Sequence, residues 1–188
     1  MTYTEKLLVI TDTQVDFLTG SLGTEDADVI VDNIVQKINE WDGYLIATAD
    51  IHDSDYLNTR EGRYLPILHT INGTDGAEIH PAIMTALRNK GNAFLGVVEK
   101  STFGSTILPF RIKAIEELIG IKFYYIEFTG RCTAICVVSN ALIVKAFFPE
   151  VDMAVDAKCC SCVSKETHEA ALLTMKTCQI DILNWKND

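Results

Sequence analysis

The feature that most constrains this chain is an alternation. Short apolar runs rich in β-branched and aromatic residues take turns with segments of helical periodicity. The runs are residues 7–11 (LLVIT), 44–49 (YLIATA), 93–98 (AFLGVV), 122–128 (KFYYIEF), 151–155 (VDMAV) and 179–183. The helical segments are residues 27–41, 81–90, 109–118, 133–147 and 165–175. In the first of them Val31, Ile34, Val35 and Ile38 fall on one helical face. The last is predicted to start at Ser164 as N-cap, with Glu166 in its first turn favouring the dipole.

Strand–helix alternation with continuously apolar strands predicts a mostly parallel sheet buried on both faces, a three-layer α/β/α sandwich. With 188 residues, 48% of them hydrophobic, one domain over residues 1–188 is expected. No repeat, low-complexity stretch or linker interrupts it.

Open parallel sheets place their sites at the carboxyl ends of the strands. That rule selects among the polar residues. Asp12 follows the first run, Asp50 and His52 the second, Lys100 the third, and the 130–136 segment the fourth. An acid, a possible metal pair, a base and a thiol are thereby expected at one edge. The irregular stretch 51–79, dense in Asp, His, Glu and Gly, is long enough to suggest a functional role.

Charge limits the partners. Sixteen Lys and Arg stand against 26 Asp and Glu, a formal net charge of −10. With no basic run, nucleic acid is excluded as a partner. The N-terminal apolar run is too short for a signal-peptide core, and no stretch approaches the ~18 apolar residues of a membrane span. A cytoplasmic location and no membrane contact are expected. The cysteines, at 132, 136, 159, 160, 162 and 178, cluster in the last third and are expected to be thiols.

Among them Cys136 is the candidate nucleophile. It lies in TGRCTAICVVSNAL, where Gly130 permits a turn and a helix is predicted from Thr133. A thiol in a first helical turn meets the positive end of the macrodipole, which favours thiolate. Cys132 competes for the role but is better placed to line the loop. The bland alternative is that both are small buried hydrophobes. The Cys159-Cys160-Ser161-Cys162 run has only Cys178 and His168 after it, a poor zinc pattern.

The segments ITDTQVDF (10–17), VEKSTFG (98–104) and TGRCTAICVVSNA (129–141), with DIHDSD and EGRYLPILHTINGTDG between them, resemble the isochorismatase-like cysteine hydrolases, in particular the nicotinamidases. The resemblance covers nearly the whole chain in order. It implies that Asp12 is the general base, that Lys100 stands between Asp12 and Cys136, and that Cys136 attacks an amide carbonyl. It also implies an oxyanion hole from the backbone N–H groups of Cys132 and Cys136, and a cis peptide at Arg131–Cys132. Asp50, His52, Glu61 and His69 resemble the family's metal ligands, a set suited to zinc, iron or manganese. Phe17 matches an aromatic that flanks the substrate, and Tyr64 is the candidate second wall. A small-molecule amide, nicotinamide first, is the implied substrate, and a homo-oligomer the implied assembly. Arg131, where relatives commonly carry a small or apolar residue, and Ala134, where they commonly carry Asp, depart from the pattern.

Overall fold

A computed structural model describes residues 5–25 and 27–185. Among them six strands form one sheet: β1 (Glu5–Thr11), β2 (Tyr44–Asp50), β3 (Phe94–Lys100), β4 (Phe123–Arg131), β5 (Asp152–Ser161) and β6 (Asp181–Leu183). Their order is β3-β2-β1-β4-β5-β6, and every pairing is parallel. The principal helices are α1 (Val15–Leu18), α2 (Ala27–Glu40), α3 (Arg60–Tyr64), α4 (Pro81–Asn89), α5 (Leu108–Ile119), α6 (Val138–Phe147) and α7 (Lys165–Thr177). No helix among the described residues is long and apolar enough to cross a membrane.

The period-2 geometry of β1 divides the core. Leu8 and Ile10 point to one face and pack with Ile34 and Ile38 of α2 and with Ile83 and Leu87 of α4. Leu7 and Val9 point to the other and pack with Ile112 of α5, Val144 of α6 and Leu172 of α7. Both faces of the sheet are covered, so the expected three-layer α/β/α arrangement holds. Burying side chains such as these stabilises the fold by about 1.5–3 kcal/mol each before conformational entropy is subtracted.

Several strands run further than their apolar runs. β3 reaches Lys100, β4 reaches Arg131, and β5 reaches Ser161 rather than stopping near residue 155. The charge of Asp156 ends the apolar pattern but not the strand, because Lys37 of α2 lies 2.7 Å from its carboxylate and satisfies it. Beyond it, Gly130 and Arg131 pair with Cys160 and Ser161. The Cys159–Ser161 run is therefore sheet rather than loop. The helix expected from Thr133 begins instead with a π-helical turn, Thr133–Val137, and turns α-helical at Val138.

β1 lies between β2 and β4, so the chain builds outward in one direction through β3 and then crosses to β4 on the opposite side. This is the topological switch point of a parallel sheet, where the strand ends open a crevice.

Candidate active site

The crevice starts with a close approach. Gly130 on β4 is register-paired with Thr11 on β1. Its φ is +119°, and a Cβ there would lie 2.0 Å from the Thr11 carbonyl oxygen. Only glycine lets β4 pass so near the residue before Asp12. Asp12 itself has φ +47° and is fully buried.

Three strand ends then converge. Thr48 Oγ1 donates to Asp12 Oδ1 at 2.6 Å. Lys100 Nζ lies 2.6 Å from Asp12 Oδ2 and 3.3 Å from Asp50 Oδ1. The same ammonium lies 3.8 Å from Cys136 Sγ. The register explains the meeting, since Thr11 pairs with Thr48 and Asp50 with Lys100. Acid, base and thiol are brought together as the strand-end rule requires.

Burial sets the protonation states. It works against the Lys100 ammonium, but Asp12, Cys136 and Asp50 outweigh it and raise the lysine above its ordinary value. Burial raises Asp12 despite Lys100 beside it. Burial, and next the Asp12 charge, push the Cys136 thiol well up, with Lys100 opposing. Against the expectation that an early helical turn favours thiolate, burial of a side chain only 6% exposed favours the protonated thiol. The Cys136 thiol thus favours its protonated form, next to the Asp12 carboxyl group.

A second group adjoins the first. One donor atom from each of Asp50, His52, Glu61 and His69 lies within 4.8 Å of the others. His52 Nε2 is 2.9 Å from Asp50 Oδ2. It makes no hydrogen bond there, although it is buried. The two atoms converge on a shared point rather than on each other. His69 Nδ1 lies 2.8 Å from the Ile67 carbonyl, which as an N–H donor leaves Nε2 free to ligate. Donors about 2.0–2.1 Å from a tetrahedral ion stand roughly 3.3 Å apart. The His–carboxylate separations, from 2.9 to 4.0 Å, and the limit of 4.8 Å for all four atoms bracket that spacing.

Both groups open on a cavity of about 420 Å³. Phe17, Leu65, Ile67, Phe103 and Ile135 make its wall predominantly apolar, and Asp50, Glu61, His69 and Cys136 also line it. This is within the size range of small-molecule sites. The Phe17 and His69 ring centroids are 5.5 Å apart. Tyr64 is corrected: it is 78% exposed, with the Arg60 guanidinium 5.3 Å from its ring centroid, outside the cavity. The single turn of α3 directs Tyr64 outward, and Leu65 supplies the wall instead.

Residues 6–187 match the family described as Isochorismatase domain. The chain belongs to the isochorismatase family. No curated protein matches the sequence. Among solved structures, a nicotinamidase/pyrazinamidase from Bacillus subtilis superposes with a TM-score of 0.80 at 24% identity, covering 96% of this chain and 100% of its own. PnC1 from L. infantum, solved with nicotinate, gives 0.79 at 20%, covering 97% and 95%. A pyrazinamidase from Pyrococcus horikoshii, solved with zinc, gives 0.68 at 23%, covering 97% and 100%. At these identities the likeness is one of fold.

This isochorismatase-family site also uses residues to which the sequence reading gave no role. Gln14 Nε2 donates to the carbonyls of Asp50 and Ala77, at 2.6 and 2.8 Å, and its Oε1 accepts from the Asp50 amide at 2.7 Å. It buckles the end of β2 in place. Its signal was present as the glutamine two residues past Asp12. Tyr56 packs its ring against His52 and His69, at 4.6 and 4.8 Å between centroids. Nothing in its local pattern marked it. Asp16 is structural: its Oδ2 accepts from the Thr70 amide at 2.7 Å, next to His69. Arg131 is buried and lines the cavity, donating to Thr24 Oγ1 and, at 3.3 Å, to Ser161 Oγ. The peptide between Arg131 and Cys132 is cis.

Proposed function

We propose that this protein is a cysteine amidase that hydrolyses a small aromatic carboxamide, nicotinamide first, through a thioester. The observation that carries this reading is the Asp12–Lys100–Cys136 convergence, with Cys136 on the wall of a largely apolar cavity. In the first half-reaction Cys136 Sγ attacks the amide carbonyl as its proton passes to Asp12. Lys100 stabilises the charge on both partners during that transfer. The backbone N–H groups of Cys132 and Cys136 are proposed to receive the developing oxyanion. Asp12 gives its proton to the departing nitrogen, and ammonia leaves. Asp12 then takes a proton from water, whose oxygen attacks the thioester carbonyl; the C–S bond breaks, carboxylic acid leaves, and Asp12 returns the proton to the Cys136 sulfur.

Asp50, His52, Glu61 and His69 are the residues that would hold a divalent ion, zinc by donor type, with iron and manganese as alternatives. When bound, such an ion would supply a Lewis-acidic point beside the substrate. Phe17 and Ile135 would hold the substrate ring flat between them.

A second reading on the same triad is another small amide or ureide. Arg131 favours it, since a polar side chain replaces an expected apolar one on the cavity wall. Self-association is part of the proposal, and light scattering that finds only monomer at micromolar concentration removes it.

Ammonia release from nicotinamide by metal-replete protein tests the main reading. Turnover abolished in Cys136→Ala and reduced by chelation supports it. Absence of turnover with nicotinamide, alongside turnover of another amide that still requires Cys136, selects the second reading.

A further inference from the structure

Cys132 and Cys162 each directly follow the last residue of one of two neighbouring strands. Arg131 on β4 is register-paired with Ser161 on β5, and each chain places a cysteine next. Adjacent strands run about 4.8 Å apart. A disulfide wants its Cα atoms at roughly 4.4–6.8 Å. The two sulfurs are already 2.8 Å apart and both residues are partly exposed. Cys162 Sγ also meets Thr167 Oγ1 at 3.2 Å.

We infer that Cys132 and Cys162 form a reversible, hydroperoxide-driven disulfide that controls the neighbouring active site. The control rests on the catalytic reading above; formation of the bond does not. The two thiols are not equivalent. Burial, the hydrogen bond to Cys162 and its nearby charge push the Cys132 thiol up to about 12. Burial also opposes the Cys162 thiolate, but hydrogen bonds from Cys132 and Thr167, and from the backbone of Ala134 and Val163, outweigh it and lower that thiol. With the Thr167 hydroxyl 3.2 Å from its sulfur and able to stabilise a thiolate there, Cys162 is assigned as the attacking sulfur and Cys132 as the resolving one. Cys136, almost fully buried with its thiol held protonated, is the poorer target.

The chemistry balances with hydrogen peroxide as oxidant. The Cys162 thiolate attacks one peroxide oxygen, the O–O bond breaks, and hydroxide leaves and is protonated to water. The product is a sulfenic acid. Cys132 sulfur then attacks the sulfenic sulfur; the S–S bond forms, the S–O bond breaks, and the hydroxyl departs with the Cys132 proton as a second water. Two thiols lose two electrons and two protons, and one peroxide becomes two waters. A dithiol reverses the change by exchange.

Closing the bond draws Cys132 toward β5. Cys132 lies on the cavity wall, and its backbone N–H is the proposed oxyanion donor. Displacements below 1 Å in such a donor cost about tenfold or more in rate.

The test treats the full-length protein with hydrogen peroxide near stoichiometric amounts, alkylates the remaining thiols, and maps peptides by mass. The expected result is a Cys132–Cys162 linked peptide with Cys136 still alkylated on denaturation. Nicotinamide turnover falls about tenfold and returns with dithiothreitol. Cys162→Ser keeps basal turnover, forms no linkage and loses the reversible response. Cys136→Ala, which has no turnover, still forms the linkage, so a failure of the amidase reading is visible separately. Free thiols at 132 and 162 beside an oxidised Cys136 would overturn the proposal. A linkage that leaves turnover unchanged overturns its regulatory part.

Discussion

Lys100 and Lys37 each stand between two carboxylates beside a cysteine, and they sit in very different places. Lys100 meets Asp12 at 2.6 Å and Asp50 at 3.3 Å, with Cys136 at 3.8 Å. Lys37, on α2, meets Glu127 and Asp156 at 2.7 Å each, and Cys159 Sγ lies 3.6 Å from Asp156 Oδ2. The first cluster occupies strand ends at the switch point, under a cavity of about 420 Å³ with a largely apolar wall. The second lies along the face of β4 and β5, where the adjoining hollow is about 160 Å³ and lined by polar side chains. Tyr125 donates to Glu127 at 2.9 Å and Asn184 to Asp156 at 2.8 Å, so the second cluster spends its donors on itself. Residue types alone do not make a catalytic site. Position at the strand ends, and a cavity for a reacting atom, separate the two.

The sharpest way to break this comparison is to remove each thiol. Cys136→Ala is expected to lower kcat by about 10⁴-fold or more with little change in thermal unfolding. Cys159→Ala should leave kcat unchanged and cost about 1 kcal/mol of stability. Its thiol is pushed up to about 12, chiefly by burial and next by Asp156, much as Cys136 is raised, so position rather than protonation separates the two. Comparable losses of kcat in the two variants would sink the distinction.

Removing the charged partners sharpens the contrast. Asp12→Asn deletes the proton acceptor and should cost about 10³-fold in kcat. Lys37→Met leaves the buried Glu127 and Asp156 unpaired and should cost about 3 kcal/mol in unfolding free energy, with kcat per folded molecule preserved. Steady-state kinetics and denaturant unfolding on both variants decide whether one cluster serves chemistry and the other stability.

A smaller effect tests how the edge is held. Gln14→Ala frees the backbone of Asp50 without touching a ligand atom. Outer supports of this kind are worth about 10–100-fold in metal affinity. Metal content after dialysis against a graded chelator series should fall earlier in Gln14→Ala than in wild type, and His69→Ala should hold no ion. Equal retention in all three would remove the four-residue group as a metal site.

Much of this was legible beforehand because strand ends are marked by where apolar runs stop. Asp12, Asp50, Lys100 and Cys136 all follow from that rule, and the six runs correspond to the six strands. Legibility failed where a long-range partner changes a residue's meaning. Asp156 looked like the end of a strand because nothing local reveals Lys37, 119 positions earlier in the chain. The protonation of Cys136 was misjudged because helix position is local and burial is not. Tyr64 and Leu65 are neighbours in sequence, and only the turn of α3 decides which faces the cavity. Tyr56 could not be found at all, since its role consists of packing on two histidines brought in from elsewhere.

The mildest test separates the clusters by pH. Burial favours the protonated form of Asp156, but hydrogen bonds from Lys37 and Asn184 and the Lys37 charge outweigh it, so its folded pKa is lowered. A depressed carboxylate contributes stability that is fully present above its unfolded value, about 3.9, and is lost as pH falls through its folded value. For Asp156→Asn, the stability deficit relative to wild type should therefore be constant from pH 7 to about pH 5 and shrink below about pH 4, at up to about 1.4 kcal/mol per pH unit. Unfolding curves across that range measure it. A deficit that stays flat into acid would mean that the Asp156 charge contributes nothing and that the second cluster is held by its hydrogen bonds alone, as an ordinary polar core is.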